Sequence, residues 1–114
     1  MITLYGISNC DTVRKSQKWL TAHNIDFTFH DFKKQGLSAD LLSVLADKKA
    51  WNELFNKRST SYRQLPDAIK NNLTDQAMFD AVLASPTLLK RPLLLLDNTL
   101  HLGFKEKQYQ DIFE

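Results

Sequence analysis

The sequence is poor in the residues that define disulfide-rich, linker-rich or repetitive proteins. It contains one cysteine, three glycines and three prolines in 114 residues. One cysteine cannot form an intrachain disulfide, which excludes a disulfide scaffold and fits a reducing compartment. So little glycine and proline also argues against a disordered linker or a repeat array. The remaining composition, 43% hydrophobic and 25% charged, is typical of one globular domain.

Long apolar runs and a strong excess of one charge are also absent. No run approaches the roughly 18 residues that cross a bilayer, and the start lacks the basic and apolar regions of a signal peptide. The net charge is only +2, and lysines and arginines alternate with acids along the chain. We expect a cytoplasmic protein, a monomer, that binds neither membranes nor nucleic acid. His23, His30 and His101 lack metal-ligand spacing, so we expect no metal site.

The first part of the chain has the pattern of a strand, a helix and a second strand. Residues 2–6, "ITLYG", are short and rich in strand-forming types, and residues 11–24 have helical periodicity. Residues 25–32, "IDFTFHDF", alternate apolar with polar. Asn24 is suited to the left-handed conformation that often follows a helix. These features predict a βαβ unit.

The middle of the chain, about residues 38–85, contains no convincing strand. It is made of separate helical segments, "SADLLSVLADK", "WNELF", "LPDAIKNN" and "TDQAMFDAVLA". Ser38 and Thr74 precede two of these segments and are suited to cap their first turns. We therefore predict a helical insertion within a single domain that spans residues 1–114.

The last part predicts a hairpin and a final helix. "RPLLLLDNTLHLGF" contains an apolar strand, a tight turn at Asp97 and Asn98, and a second strand, and "KEKQYQDIF" is amphipathic. The order βαβ, helical insertion, ββα predicts an α/β fold of the thioredoxin-like (glutaredoxin-like) type with a four-stranded mixed sheet. A flavodoxin-like sheet is the competing interpretation, but it needs more βα repeats than this length supplies.

Cys10 is the first candidate for chemistry, because it falls between the first strand and the first helix. The unpaired N–H groups and positive dipole of a helix start favour a thiolate, the nucleophilic form of cysteine. Arg14 and Lys15 add nearby positive charge, which favours the thiolate, whereas the negative charge of Asp11 disfavours it. The alternative is an inert buried cysteine, which is common in proteins. The polar residues around this turn favour exposure and a reactive role.

Three motifs in order, "YGISNCDTVRKS", "FNKRSTSYRQL" and "LLKRPLLLL", resemble the arsenate-reductase-like (ArsC/Spx) family, most closely its small YffB-type members. The resemblance spans essentially the whole chain. It implies a thioredoxin-like domain with a helical insertion, a nucleophilic Cys10, and Arg58 and Arg91 facing it. Thr12 and Arg14 match the family's hydroxyl and basic residue beyond the cysteine. Guanidinium groups suit this role because they hold oxyanions through paired donors.

The resemblance also marks one further site residue and three departures. Pro92 resembles the proline before the third strand of thioredoxin-like folds, where a cis peptide bond lies beside the cysteine. Arsenate-reducing members carry a histidine at the position of Gly6, and a third arginine where only Lys105 or Lys107 could substitute. Regulatory Spx-type members have a second cysteine where this chain has Val13. These departures argue against arsenate as substrate and exclude an internal disulfide switch.

We therefore predict a glutathione-dependent thiol oxidoreductase that uses the single nucleophile Cys10. A lone cysteine is compatible with a monothiol mechanism, in which a small thiol resolves the mixed disulfide. Reduced glutathione would be the co-substrate, with no bound cofactor, and the substrate would be a small-molecule or protein thiol or disulfide. Two carboxylates on glutathione would give the arginines anions to bind. The alternative is a non-catalytic regulatory or protein-binding module of the Spx type.

Overall fold

The computed structural model of the protein describes residues 2–114, and its elements follow the predicted order. They are β1 (Ile2–Gly6), α1 (Asp11–Ala22), β2 (Thr28–Asp31), α2 (Ala39–Ala46), α3 (Trp51–Leu54), α4 (Thr60–Arg63), α5 (Asp67–Lys70), α6 (Asp75–Ala84), a short 3-10 helix (Pro86–Leu88), β3 (Leu93–Leu96), β4 (Thr99–Leu102) and α7 (Glu106–Phe113). Two differences from the prediction stand out. β2 is shorter than expected, and α4 was not predicted.

The chain divides into two compact units. The first contains the chain up to Gly36 together with Arg91–Glu114, and the second is Leu37–Lys90. The first unit holds the four strands, α1 and α7, whereas the second holds the short helices α2 to α6. No helix within residues 2–114 combines the length and apolar character needed to span a membrane.

The sheet of the first unit is mixed, in agreement with the prediction. Its strand order is β2-β1-β3-β4, with β1 and β2 parallel and the two other pairs antiparallel. The parallel pair is joined by α1, because parallel neighbours need a crossover connection. In the register, Gly6 lies opposite Asp31, and Tyr5 lies opposite Leu93. The end of β1, the end of β2 and the start of β3 therefore share one end of the sheet.

The core of the sheet unit forms where α1 and α7 pack on one face of the sheet. Its buried residues are Leu4, Trp19, Leu20, Leu94 and Tyr109. Burial of such side chains contributes about 1.5–3 kcal/mol each. The Trp19 and Tyr109 rings meet edge to face, with centroids 5.5 Å apart. The apolar stripe of α1 is therefore what fixes this helix, and with it the loop that precedes it, to the sheet.

Backbone conformation confirms two turn predictions. Asn24, just after α1, has a φ of 57°, and its N–H donates to the carbonyl of Thr21. Asp97 and Asn98 have φ values of 47° and 72° between β3 and β4. Two consecutive residues with positive φ are typical of the tight hairpin turn that matches strand twist.

The helical unit depends on local caps. The Ser38 hydroxyl accepts the N–H of Leu41 at 3.1 Å, and the Thr74 hydroxyl accepts that of Ala77 at 3.1 Å. Both predicted caps are confirmed. Ser59 caps the unpredicted α4 in the same way. α4 is as short as α3 and α5, which were predicted, but its sequence, TSYR, has no aliphatic residue that could show helical periodicity.

Candidate active site

Cys10 occupies the N-cap of α1. Its backbone is extended, with a φ of −105°, and its carbonyl accepts the N–H of Arg14 at 3.0 Å. The thiol is half-buried. No side chain caps this 12-residue helix, so its first N–H groups remain available near the cysteine. The structure therefore places the single cysteine of the sequence at the N-terminal, positive end of the α1 dipole.

A close contact between Gly6 and Val13 sets the approach of α1 to β1. A Cβ atom at Gly6 would lie 2.8 Å from Cγ2 of Val13, a separation that real Cβ atoms do not adopt. Val13 is fully buried, so it has little room to give way. Any side chain at this position, a histidine included, would therefore meet Val13 at its first carbon atom.

Arg14 and Lys15, the cations predicted near Cys10, are both exposed, but Arg14 already has partners. Its guanidinium forms an ion pair with Asp11, one turn earlier on the helix, and donates to the carbonyl of Ser8 at 3.3 Å. Arg14 therefore ties the start of α1 to the preceding loop. Thr12 lies in the first turn and is half-buried.

Arg91 and Pro92 lie just before β3 and are joined by a cis peptide bond, as the resemblance predicted. Pro92 is buried, and its carbonyl accepts the N–H of Gly103 at 2.9 Å. Arg91 is partly buried, with its Nε inaccessible to solvent. Because β3 runs antiparallel to β1, this pair lies at the end of the sheet where β1 leads into the loop before Cys10.

Arg58 belongs to the helical unit. It is exposed in the turn between α3 and α4, where its N–H donates to Oδ1 of Asn56 at 3.1 Å. Its facing of Cys10 stays a prediction from the resemblance. In the sheet unit, Lys105 is exposed at the N-cap of α7, and Lys107 pairs with Asp111 at 3.4 Å. Each lysine offers a point charge and lacks the paired planar donors of an arginine.

Asp31 is a residue of this region that the sequence reasoning missed. It is only 3% exposed at the end of β2, and its Oδ1 accepts the N–H of Lys33 at 2.9 Å. Burial acts to raise the pKa of Asp31, but the hydrogen-bonding groups of Lys33, Ser8 and Lys34 outweigh it and lower the pKa. A signal was present: alternation along β2 puts residue 31 on the same face as Phe29, where an apolar side chain is expected.

The histidines and acids do not form a metal centre in the part of the chain that the structure describes. No group of three or more His, Cys, Asp or Glu side chains is arranged to hold an ion there. His23 contacts the carbonyl of Trp19 through Nδ1 at 2.8 Å, and His30 contacts that of Gly36 through Nε2 at 2.8 Å. These two rings are bound to the backbone.

Comparison with known proteins gives relatives that match nearly all of this chain. A protein of Haemophilus influenzae is 44% identical over 99% of both chains. The global transcriptional regulator Spx of Lactiplantibacillus plantarum is 31% identical over 95% of this chain and 83% of its own. Among solved structures, a YFFB protein has a TM-score of 0.91 at 33% identity, covering 97% of each chain. An arsenate reductase (ArsC) related protein from Brucella melitensis has a TM-score of 0.82 at 42% identity, covering 99% of this chain and 94% of that one.

More distant similarity supports the fold. A glutaredoxin from Archaeoglobus fulgidus has a TM-score of 0.52 at 12% identity, covering 99% of this chain and 85% of its own. Together with the mixed four-stranded sheet, this confirms the thioredoxin-like fold. The sequence matches the ArsC family over residues 5–112, which include Cys10, Arg58 and Arg91. The chain therefore belongs to the ArsC family.

Proposed function

We propose that the protein is a glutathione-dependent thiol oxidoreductase with Cys10 as its nucleophile. The observation that carries the proposal is the position of Cys10, half-buried at the uncapped start of α1 and at the same end of the sheet as Arg91 and Pro92. A helix start of this kind favours the thiolate, which is the form that attacks disulfides. Membership of the ArsC family supports thiol chemistry at this position.

The reaction has two thiol–disulfide exchanges. In the first, the Cys10 thiolate attacks the glutathione sulfur of a mixed disulfide, the substrate leaves as a thiolate that takes up a proton, and Cys10 becomes glutathionylated. In the second, the thiolate of a reduced glutathione attacks this adduct. Glutathione disulfide is released and the Cys10 thiolate is restored. The net reaction consumes the mixed disulfide and one reduced glutathione and gives the substrate thiol and glutathione disulfide, and the glutathione thiol supplies the proton that the substrate thiolate takes up.

Arg91 is the residue we propose to bind a carboxylate of glutathione. It is partly buried, which limits its motion, and a guanidinium can hold a carboxylate through two parallel hydrogen bonds. Pro92 would contribute to the same substrate-binding surface. Arg14 and Thr12 would contribute to anion binding at the start of α1, where the Arg14 guanidinium donates to the Ser8 carbonyl. Arg58 would bind the other carboxylate of glutathione, and this role rests on the resemblance alone.

A turnover assay tests the proposal. A glutathione mixed disulfide of a peptide is incubated with reduced glutathione and catalytic amounts of protein, and release of the free peptide thiol is followed by mass spectrometry. The parent protein should accelerate release, and Cys10→Ser should return the rate to that of glutathione alone. Equal rates of release with the parent and with Cys10→Ser would reject the proposed enzymatic activity of Cys10.

A regulatory or protein-binding module is the second candidate. It is supported by the relatives of 29–31% identity that are named global transcriptional regulator Spx. These proteins are covered over 81–83% of their length, so the similarity extends over most of each. This candidate predicts that the parent and Cys10→Ser bind a partner protein equally well and that the parent shows no turnover.

A further inference from the structure

Asp31 is a buried carboxylate that the reaction proposed above does not use. Its Oδ1 accepts the Lys33 N–H at 2.9 Å, which is enough to stabilise the turn after β2. Its Oδ2 is inaccessible to solvent and has no hydrogen-bond partner of normal geometry. A buried carboxylate oxygen left in this state is costly, and buried polar groups are nearly always fully paired. The turn alone therefore does not account for an acid at this position.

The position of Asp31 connects it to the loop that carries Cys10. Asp31 lies opposite Gly6 in the parallel pair, and the next residue, Phe32, donates its N–H to the Gly6 carbonyl at 2.8 Å. The two strands thus end together. By strand alternation Asp31 shares a face of β2 with Phe29, which packs against the core that α1 covers. The N–H and hydroxyl of Ser8 act to lower the pKa of Asp31. Ser8 is two residues before the nucleophile.

The loop itself has few constraints of its own. Within it, the Cys10 N–H reaches the Ile7 carbonyl only at 3.4 Å, beyond the usual 2.9–3.0 Å of a good N–H···O bond. Ser8 and Asn9 are exposed. Apart from the contact of Arg14 with the Ser8 carbonyl, which comes from the solvent side, the buried carboxylate is the group placed to hold this loop from the sheet side.

We propose that Asp31 is a positioning residue for Cys10, acting through Ser8 to fix the loop between β1 and α1. This inference rests on the proposed function, because it assigns Asp31 to the reactivity of the same cysteine. A positioning role and an electrostatic role predict opposite effects. A negative charge near a sulfur disfavours the thiolate, so removing a purely electrostatic Asp31 would speed the reaction of Cys10. Removing a positioning group would slow it.

The test compares second-order rate constants for alkylation of Cys10 by iodoacetamide, a reaction that does not involve glutathione. Asp31→Asn keeps an acceptor for the Lys33 N–H but removes the charge, and should slow alkylation about tenfold. Ser8→Ala, at an exposed position, should slow it about threefold without lowering the melting temperature. The double variant should react no more slowly than Asp31→Asn, since both substitutions break the same connection between Asp31 and Ser8. Asp26→Asn, an exposed acid before β2, is the matched control and should leave the rate unchanged.

The outcomes separate a positioning role from a structural one. If Asp31→Asn lowers only the melting temperature and Ser8→Ala reacts like the parent, Asp31 serves the fold alone and the proposal is overturned. Faster alkylation of Asp31→Asn would also overturn it. If Asp31→Asn does not fold, Ser8→Ala decides, because its position is exposed. Reaction of the parent with iodoacetamide but not with oxidised glutathione would reject the proposed function while the alkylation series still tests Asp31.

Discussion

Among the described residues of the sheet unit, two polar ones are buried, and they differ in how completely their side chains are hydrogen-bonded. Ser16, on the inner face of α1, forms a 2.6 Å hydrogen bond with the hydroxyl of Tyr109. Asp31, at the end of β2, has one oxygen bonded and one without a partner of normal geometry. A complete pair stabilises the packing of α1 on α7. An incomplete one is expected where the protein performs chemistry, because strain and unpaired groups persist at functional sites.

The largest expected effect concerns the buried hydrogen bond between Ser16 and Tyr109. Burial raises the pKa of Tyr109 to about 12, against an ordinary value of 10.0, while the hydrogen bond with Ser16 partly opposes the shift. The unfolded chain therefore loses this proton at lower pH than the folded protein. Stability should be full below pH 10 and fall by roughly 2–3 kcal/mol as the pH rises to about 12. Urea unfolding between pH 8 and pH 12 would measure the loss.

Tyr109→Phe is the control for this pH dependence. It removes the titrating hydroxyl and leaves the Ser16 hydroxyl buried without a partner, which costs about 1–3 kcal/mol at neutral pH. Its stability should then fall less steeply above pH 10 than that of the parent. An equally steep fall would mean that another group, such as Tyr5, whose pKa burial also raises, dominates the alkaline unfolding.

The second effect concerns the contact between Gly6 and Val13, which sets how closely α1 approaches the end of the sheet where Asp31 lies. Gly6→Ala would place a Cβ 2.8 Å from Val13 Cγ2, so the first turn of α1 must shift. Crowding of this kind costs about 1–3 kcal/mol, measurable by urea unfolding. Because the shift moves the start of α1, it should also slow the reaction of Cys10, and adding Val13→Ala should restore part of that rate by making room for the new methyl group. A Gly6→Ala protein as stable and as reactive as the parent would show that the contact does not set the helix position.

The third effect tests the proposed anion site. Arg91→Lys keeps the positive charge but cannot supply two parallel donors, so glutathione affinity should fall about tenfold. Isothermal titration with a non-reacting glutathione analogue, such as S-methylglutathione, measures it directly. Arg63→Lys, in the helical unit, is a matched control, since Arg63 is exposed and carries no proposed contact. Equal affinities for the parent and Arg91→Lys would remove Arg91 from the site.

The smallest effect concerns the lysines that could replace a third arginine. Lys105 is exposed, and Lys107 forms an exposed pair with Asp111. Surface pairs of this kind contribute about 0–1 kcal/mol, so Lys107→Gln should change stability little. Lys105→Gln and Lys107→Gln should each change turnover by less than about twofold. A tenfold loss in either variant would identify the missing third anion contact.

The sequence was sufficient for the order of the four strands and the longer helices, and for the position of Cys10 before α1. Strand alternation, helical periodicity and the turn residues at Asn24, Asp97 and Asn98 are local signals, and the structure confirms each of them. The family followed from three motifs and is confirmed by the match over residues 5–112. These features depend on residues close together in the chain.

The pairing of buried polar groups could not be predicted from sequence in the same way. Ser16 and Tyr109 are separated by 93 residues, and nothing local to either indicates the other. Asp31 interrupts the apolar face of β2, but a single polar residue at a strand end also fits an exposed turn. The Gly6 contact with Val13 depends on how closely a helix approaches a strand, which is a property of tertiary packing. The ion pair of Arg14 with Asp11 was not predicted, although residues three apart on a helix are neighbours.

The central claim, that the start of α1 makes Cys10 a reactive thiol, is tested most directly by intact-mass spectrometry. Native protein is incubated with oxidised glutathione and sampled over time, with Cys10→Ser as blank and the urea-unfolded protein as reference. Because Cys10 is the only thiol, we expect a single glutathione adduct that forms faster in the native than in the unfolded protein and is reversed by reduced glutathione. Slower modification of the native protein would show a shielded cysteine and contradict the account.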